Sequence, residues 1–187
     1  MSELYNHEDF KVEIIAGKEI VMMAPAFDNH NVAKNSIFSI FSAYLKGNVC
    51  IPYSDGSKVV LEDGGYVIPD MFVLCDRSKR KRDGIYGAPD LVAEVLSYSS
   101  AKNDRGDKKD LYEKTGVREY WLVEPDEKYI EVYLLEYGRY KLDGLYRIAK
   151  ETDSEDDIKN TVTKFNCGIF PELEIDLEEV FQNVIDW

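Results

Sequence analysis

Cysteine, proline and basic side chains are all scarce in this sequence. Among 187 residues there are three cysteines and six prolines, and 23 lysines and arginines face 36 aspartates and glutamates. Cys50, Cys75 and Cys167 form no C-x-x-C pair and their number is odd, so ordinary buried thiols in a reduced cytoplasmic compartment are expected. No apolar run approaches the roughly 20 residues of a membrane-spanning helix. The longest, such as Met71 to Cys75, are strand-sized. The opening Met1-Ser-Glu-Leu-Tyr-Asn lacks a basic segment followed by an apolar one, so no secretory signal is expected. Internal repeats, low-complexity tracts and Pro- or Gly-rich linkers are missing as well. The net charge of −13 argues against tight nonspecific DNA binding and against an anionic membrane surface. It leaves room for a local basic strip, or for a divalent cation acting as the bridge to an acidic ligand.

With 44% hydrophobic and 12% aromatic residues, disorder is excluded. The length fits one domain over residues 1–187. A chain near this size buries about 70% of the surface its unfolded form exposes, so it folds without disulfide staples or structural metal. Residues 10–23 read as two short strands turning at Gly17-Lys18. Asp28-Asn29-His30 opens a helix with Val32, Ile37, Phe38, Ile40, Phe41, Tyr44 and Leu45 as its apolar positions, closed by Gly47. Residues 49–53 and 58–61 are short strands around Asp55-Gly56. Val67 to Cys75 and Leu91 to Leu96 are strands apolar on both faces. A helix runs from Ser99-Ser100 to about Thr115, stopped by Gly116. Residues 119–124, 129–135 and 138–142 are consecutive strands, and Lys150 to Lys159 is an acidic loop. Asp176 to Ile185 is an amphipathic helix presenting Leu177, Val180, Phe181 and Val184. The order predicts an α/β domain, a mixed β-sheet flanked by helices with an N-terminal β-hairpin.

Two carboxylates interrupt the doubly apolar strands: Asp70 after Pro69, and Glu94 in Leu91-Val-Ala-Glu-Val-Leu96. An unpaired buried carboxylate costs several kcal/mol, so each must be neutralised, hydrogen-bonded or metal-bound. Two acids converging on one point of a sheet repel each other, which a divalent cation relieves. All-oxygen ligation suits Mg²⁺ or Mn²⁺ rather than Zn²⁺. Asp90 shares a face with Glu94, but four residues of strand put them roughly 13 Å apart. Glu94 is therefore the expected ligand, Asp90 a supporting residue, and the Val95 carbonyl a further oxygen. Turn formation for Asp70 and a salt bridge for Glu94 are the alternatives. On the next helix Asp104, Lys108, Leu111, Tyr112 and Thr115 share a face. If Leu111 and Tyr112 pack on the sheet, Lys108 is carried towards the strand ends, although Lys109 competes for that role. Gly106 inside this helix costs about 1 kcal/mol relative to Ala.

Pro69-Asp70, Pro89-Asp-Leu-Val-Ala-Glu-Val-Leu-Ser97, Asp104-x-x-x-Lys108, Leu111-Tyr112 and Gly116-Val-Arg-Glu-Tyr-Trp-Leu-Val123 together resemble the Uma-type family of restriction endonucleases, within the PD-(D/E)XK nuclease superfamily. The resemblance is densest over residues 69–124 and extends from the hairpin, through His30, to Ile169-Phe-Pro-Glu-Leu173. It implies a restriction-endonuclease-like core with Mg²⁺ held by Asp70 and Glu94. The superfamily's usual lysine position, two residues after the acid, is occupied here by Leu96. Similar families supply the lysine from the following helix, where Lys108 matches. Tyr98 stands where proline usually follows serine. A homodimer is implied too.

Arg77-Ser-Lys-Arg-Lys-Arg82 is either a phosphate-contacting strip beside the site or a solvated loop. His30 is read as a structural residue at the helix start or as a supporting group of the site, and Tyr120 and Trp121 as core. There is no G-x-S-x-G, no phosphate-binding glycine loop, no dinucleotide fingerprint and no H-E-x-x-H, so no nucleotide cofactor is expected. The leading expectation is a Mg²⁺-dependent DNA endonuclease with Asp70, Glu94 and Lys108 as its catalytic residues. The alternative is a catalytically inactive nuclease-fold module that binds nucleic acid or a protein partner.

Overall fold

A computed structural model describes residues 10–15, 17–23, 28–54, 56–61 and 64–186. The expected hairpin forms from β1 (Phe10–Ile15) and β2 (Lys18–Met23), which turn at Gly17 with φ of +74°. Helix α1 (Asp28–Tyr44) follows. Its Ala33, Ile37, Phe41 and Leu45 recur every turn and are buried, and Gly47 adopts the left-handed conformation just beyond it. Next come β3 (Ile51–Ser54) and β4 (Val59–Val60); the Asp55 half of the expected turn between them lies outside the described residues.

The run read as one strand from Val67 to Cys75 is split. β5 (Tyr66–Val67) pairs with β1 and β4, whereas β6 (Met71–Leu74) pairs with β3 and β9 (Leu91–Val95). Pro69 has no N–H to give to a ladder, and the chain crosses between two sheets at Ile68-Pro69-Asp70. Asp70 thus stands at the crossing rather than inside a strand. Before β9 lies a small hairpin, β7 (Arg80–Lys81) and β8 (Gly84–Tyr86). The helix expected over residues 99–115 is also divided. α2 (Ala101–Arg105) and α3 (Asp107–Thr115) break at Gly106, whose φ of −113° and ψ of −104° fit neither. Gly116, at φ +90°, ends α3 as expected.

β10 (Glu119–Glu124), β11 (Tyr129–Glu136) and β12 (Arg139–Arg147) form the antiparallel meander. Two departures come next. The acidic loop contains α4 (Glu155–Asn160), capped where the Ser154 hydroxyl accepts from the Asp157 N–H. A hairpin of β13 (Lys164–Cys167) and β14 (Phe170–Asp176) precedes α5 (Leu177–Phe181), which is shorter than expected. The face of that last segment is as expected, with Leu177, Val180, Phe181 and Val184 buried.

One sheet runs β12-β11-β10-β9-β6-β3 and the other β2-β1-β5-β4-β8-β7. In the first, only β9 and β10 are parallel, joined through α2 and α3; the result is a mixed α/β architecture. Its alternate residues feed two cores. Met71, Val73, Leu91, Ala93, Val95, Trp121 and Val123 face α1, α5 and the β13–β14 hairpin; Phe41 of α1 and Phe165 of β13 lie 5.6 and 5.1 Å from the Trp121 ring. Phe72, Leu74, Val92, Leu96, Tyr120 and Leu122 face α3 and the second sheet. By the same alternation Glu94 points into this second core.

The cysteines depart from expectation. Ile51 pairs with Leu74, which sets the flanking Cys50 and Cys75 opposite each other, and a disulfide joins them. Only Cys167 is a free thiol, and it is buried. Strand register, invisible over 25 residues of sequence, brings the pair together. No helix among the described residues is long and apolar enough to cross a membrane.

Candidate active site

Five ionisable side chains, from β1, the Pro69 crossing, β9, α2 and α3, meet in the second core. Glu94, Lys108, Asp104 and Glu13 are each no more than 2% exposed, and Asp70 is 8% exposed. β9 delivers Glu94 because Val92 and Leu96 on the same face anchor it in apolar packing. α3 delivers Lys108 because Leu111 and Tyr112, one turn on, are buried against the sheet. The Pro69 crossing delivers Asp70.

Lys108 Nζ donates to Glu94 Oε1 at 3.1 Å. It also lies 3.2 Å from Glu13 Oε2 and 3.4 Å from Asp104 Oδ1. The Tyr112 hydroxyl donates to the same Glu94 Oε1 at 2.6 Å. Glu94 Oε2 accepts the Asp70 N–H at the longer distance of 3.3 Å. Asp70 Oδ2 in turn accepts the Val95 N–H at 2.9 Å and lies 3.1 Å from His30 Nε2. Glu94 is thus tied to the backbone of Asp70, and Asp70 to the backbone of Val95, the residue after Glu94. His30, at the start of α1, is 6% exposed, and its Nδ1 has no hydrogen-bond partner among the described residues. His30 also lines a groove of about 670 Å³ with Asp28, Leu96, Ser97, Tyr98 and Glu124, so the cluster reaches the surface on this side.

Burial dominates the electrostatics. Desolvation pushes the Glu94 carboxyl up to about 8; Lys108 opposes this, while Asp104, Asp70 and Glu13 add to it. Desolvation also raises Glu13 and Asp104 above the ordinary carboxylate range despite the opposing pull of Lys108. For Lys108 burial disfavours the ammonium, but the attraction of Glu94, Asp104, Glu13 and Asp70 outweighs it and the ammonium is held well above its usual range. Tyr112 is raised by burial and by the Glu94 charge, so it stays a hydrogen-bond donor. With all four carboxyl groups ionised, one ammonium would leave an excess of negative charge; retained protons relieve it in the metal-free protein, and a divalent cation would offset it in their place. Glu94 Oε2, with its single long hydrogen bond, is the oxygen on the side of Asp70. Among the described residues no three His, Cys, Asp or Glu side chains form a ready cage. Oxygen donors from two carboxylates suit Mg²⁺, which keeps several of its waters.

Asp70, Glu94, Lys108, Asp104 and His30, all expected at the site, are brought together. Val95 joins through its N–H. Asp90 does not join them: its carboxylate accepts from the Cys75 N–H at 2.7 Å and lies 3.4 Å from Arg118 Nη1, so it pins the start of β9. Lys109 is placed elsewhere, 3.5 Å above the Tyr133 ring, which leaves Lys108 as the lysine of the cluster. Glu13 was missed, although a lone acid in Val12-Glu-Ile-Ile15 gives the same signal as Glu94. Its Oε1 accepts the Ile68 N–H at 2.7 Å, tying the hairpin to the crossing that carries Asp70. Tyr112 was read only as packing; its hydroxyl contact follows from the tertiary fold.

Residues 1–164 match the family model Uma2, described as "Putative restriction endonuclease". The chain is 33% identical over 129 residues to the uncharacterized protein slr1290 of Synechocystis sp. (strain ATCC 27184 / PCC 6803 / Kazusa), a match spanning 68% of this chain and 65% of that protein, just under two thirds of its length. It superposes with a TM-score of 0.70 at 20% identity on a crystal structure from Anabaena variabilis ATCC 29413, described as "a putative nuclease belonging to DUF820". That likeness covers 98% of this chain and 96% of the other, and shows a shared fold.

Proposed function

The chain belongs to the Uma2 family, and from that premise we propose that it is a Mg²⁺-dependent endonuclease that hydrolyses DNA phosphodiester bonds. Asp70 and Glu94 would hold the ion, with the Val95 carbonyl as a further oxygen; Mn²⁺ suits the same donors. When bound, such an ion neutralises the scissile phosphate and lowers the pKa of an attacking water. The Val95 N–H and His30 keep the Asp70 carboxylate in place. Tyr112 and Lys108 do the same for Glu94. Lys108, charged and held among acids, orients the water and offsets negative charge that develops on the phosphate in the transition state. The observation that carries this reading is the Asp70–Glu94–Lys108 cluster: two acids linked through backbone N–H groups, with an ammonium hydrogen-bonded to one of them. A homodimer would bring one such site to each strand of a duplex.

Cleavage of duplex DNA with Mg²⁺ and with EDTA tests the proposal. Asp70→Ala should abolish Mg²⁺-dependent cleavage, and Lys108→Ala should slow it by about 10² to 10³. Undiminished cleavage by Asp70→Ala would end the reading.

A further inference from the structure

Five of the six residues from Arg77 to Arg82 are basic, on a chain of net charge −13. Two of the five are used internally. Arg77 donates from Nε to the Val49 carbonyl and from Nη2 to the Asn48 carbonyl, and Lys79 Nζ donates to the Ala88 carbonyl. Arg80, Lys81 and Arg82 are exposed, and their side chains have no hydrogen bond or ion pair to the described residues.

These three cations sit on a fixed edge. The Ile85 N–H donates to the Lys58 carbonyl and the Gly87 N–H to the Val60 carbonyl, each at 2.8 Å. Gly84, at φ +155°, lies so close to β4 that an added Cβ would be 2.7 Å from the Lys58 oxygen. Strand register then sets what accompanies them. Tyr66 pairs with Val60 and Val60 with Tyr86, so all three share one face of the sheet. Lys81 pairs with Gly84, two residues before Tyr86, and shares that face. Lys58, two residues before Val60, places Nζ 3.9 Å over the Tyr66 ring. The neighbouring acids are engaged: Asp83 accepts the Tyr86 hydroxyl and Asp76 accepts from Ser78.

From β5 to β7 is three strand spacings, roughly 14 Å, and β5 leads through Pro69 to Asp70. Duplex DNA carries one phosphate charge per about 1.7 Å of its axis, so this offset corresponds to about four base pairs. Given the nuclease reading, on which this rests, we propose that the β4–β5–β7–β8 face holds the sugar–phosphate backbone of duplex DNA beside the cleaved bond. Lys81 makes a phosphate contact from that face, beside Lys58 and Tyr86; Arg80, paired with the buried Ile85 and so directed to the other side of the strand, and Arg82 in the turn make theirs from the exposed β7 edge.

The test is binding of a fluorescent duplex of about 30 base pairs in EDTA across a salt series. The Arg80→Gln/Lys81→Gln/Arg82→Gln protein is compared with Lys46→Gln/Lys114→Gln/Lys159→Gln, which removes the same charge from exposed positions elsewhere. The first should bind about tenfold more weakly or worse and lower the salt slope by about 2 to 3, one per lost phosphate contact; the second should match wild type. Equal binding by the hairpin variant and wild type overturns the proposal. So does equal weakening by both variants, or a wild type that does not bind. Failure of the nuclease reading looks different: wild type binds through Arg80, Lys81 and Arg82 yet cleaves nothing with Mg²⁺.

Discussion

Glu13 Oε2 and Lys108 Nζ lie 3.2 Å apart, with both side chains no more than 2% exposed. The hairpin that opens the fold is therefore wired to Lys108, and Glu13 has a second attachment through the Ile68 N–H. Glu13→Gln keeps the volume and that backbone bond but removes a charge facing Lys108. Its expected effect is on turnover, a fall of about tenfold or more, with thermal stability close to wild type. Glu13→Ala leaves the partly buried Ile68 N–H without that partner, a loss of about 1 kcal/mol or more, and should lower both. Turnover unchanged in Glu13→Gln would assign the residue to architecture alone.

Tyr112 shares Glu94 Oε1 with Lys108. Partners that orient a metal ligand typically contribute 10- to 100-fold in affinity or activity. Tyr112→Phe should therefore weaken Mg²⁺ binding within that range in calorimetric titration, while circular dichroism shows an intact fold. Wild-type Mg²⁺ affinity in Tyr112→Phe would remove the hydroxyl from the account of the site.

The metal-free protein should be more stable at mildly acidic than at mildly basic pH. Glu94 has a folded-state value of about 8 against an ordinary 4.5, so the folded protein keeps a proton that the unfolded chain gives up. That contribution is complete below about 4.5 and is lost as pH rises through 8; Glu13 and Asp104 act in the same direction. Below about pH 4 the trend reverses, because Asp76, Glu113, Asp153 and Asp176, held low by their hydrogen-bond partners, are protonated. Mg²⁺ must displace the Glu94 proton to bind, so its stabilising effect should be larger at pH 8.5 than at pH 6. Scanning calorimetry checks both points, and Glu94→Gln should flatten the metal-free trend. A metal-free melting temperature that climbs from pH 5.5 to 8.5 is the contrary result.

The Cys50–Cys75 bridge closes a loop with a sequence separation of 25. A cross-link over that length stabilises by about 3 kcal/mol through the unfolded state. Cys50→Ser/Cys75→Ser should lower the melting temperature, and a reducing agent should do the same to wild type but nothing to the double variant. Identical melting of oxidised and reduced wild type would speak against the bridge.

The sequence by itself singled out Asp70 and Glu94 as candidate site residues and outlined most of the elements. Asp70 and Glu94 were visible because an acid in a doubly apolar run has to be neutralised, whatever the fold. α1, β9, β10 and the left-handed stop at Gly116 were visible because their periods and end residues are local. Glu13 gave the same lone-acid signal and went unread, since one strand of a hairpin does not say what it will face. Tertiary structure decided the rest. Whether Lys108 or Lys109 enters the cluster depends on which face of α3 the sheet covers, and the break at Gly106 is settled by packing on both sides. The split at Pro69 depends on two sheets competing for one apolar run. The meeting of Cys50 with Cys75, and of Glu13 with Lys108, depends on register and on crossings between layers. Such contacts join residues far apart in the chain, and their energies come from exclusion of water by the assembled core, which no local stretch of sequence carries.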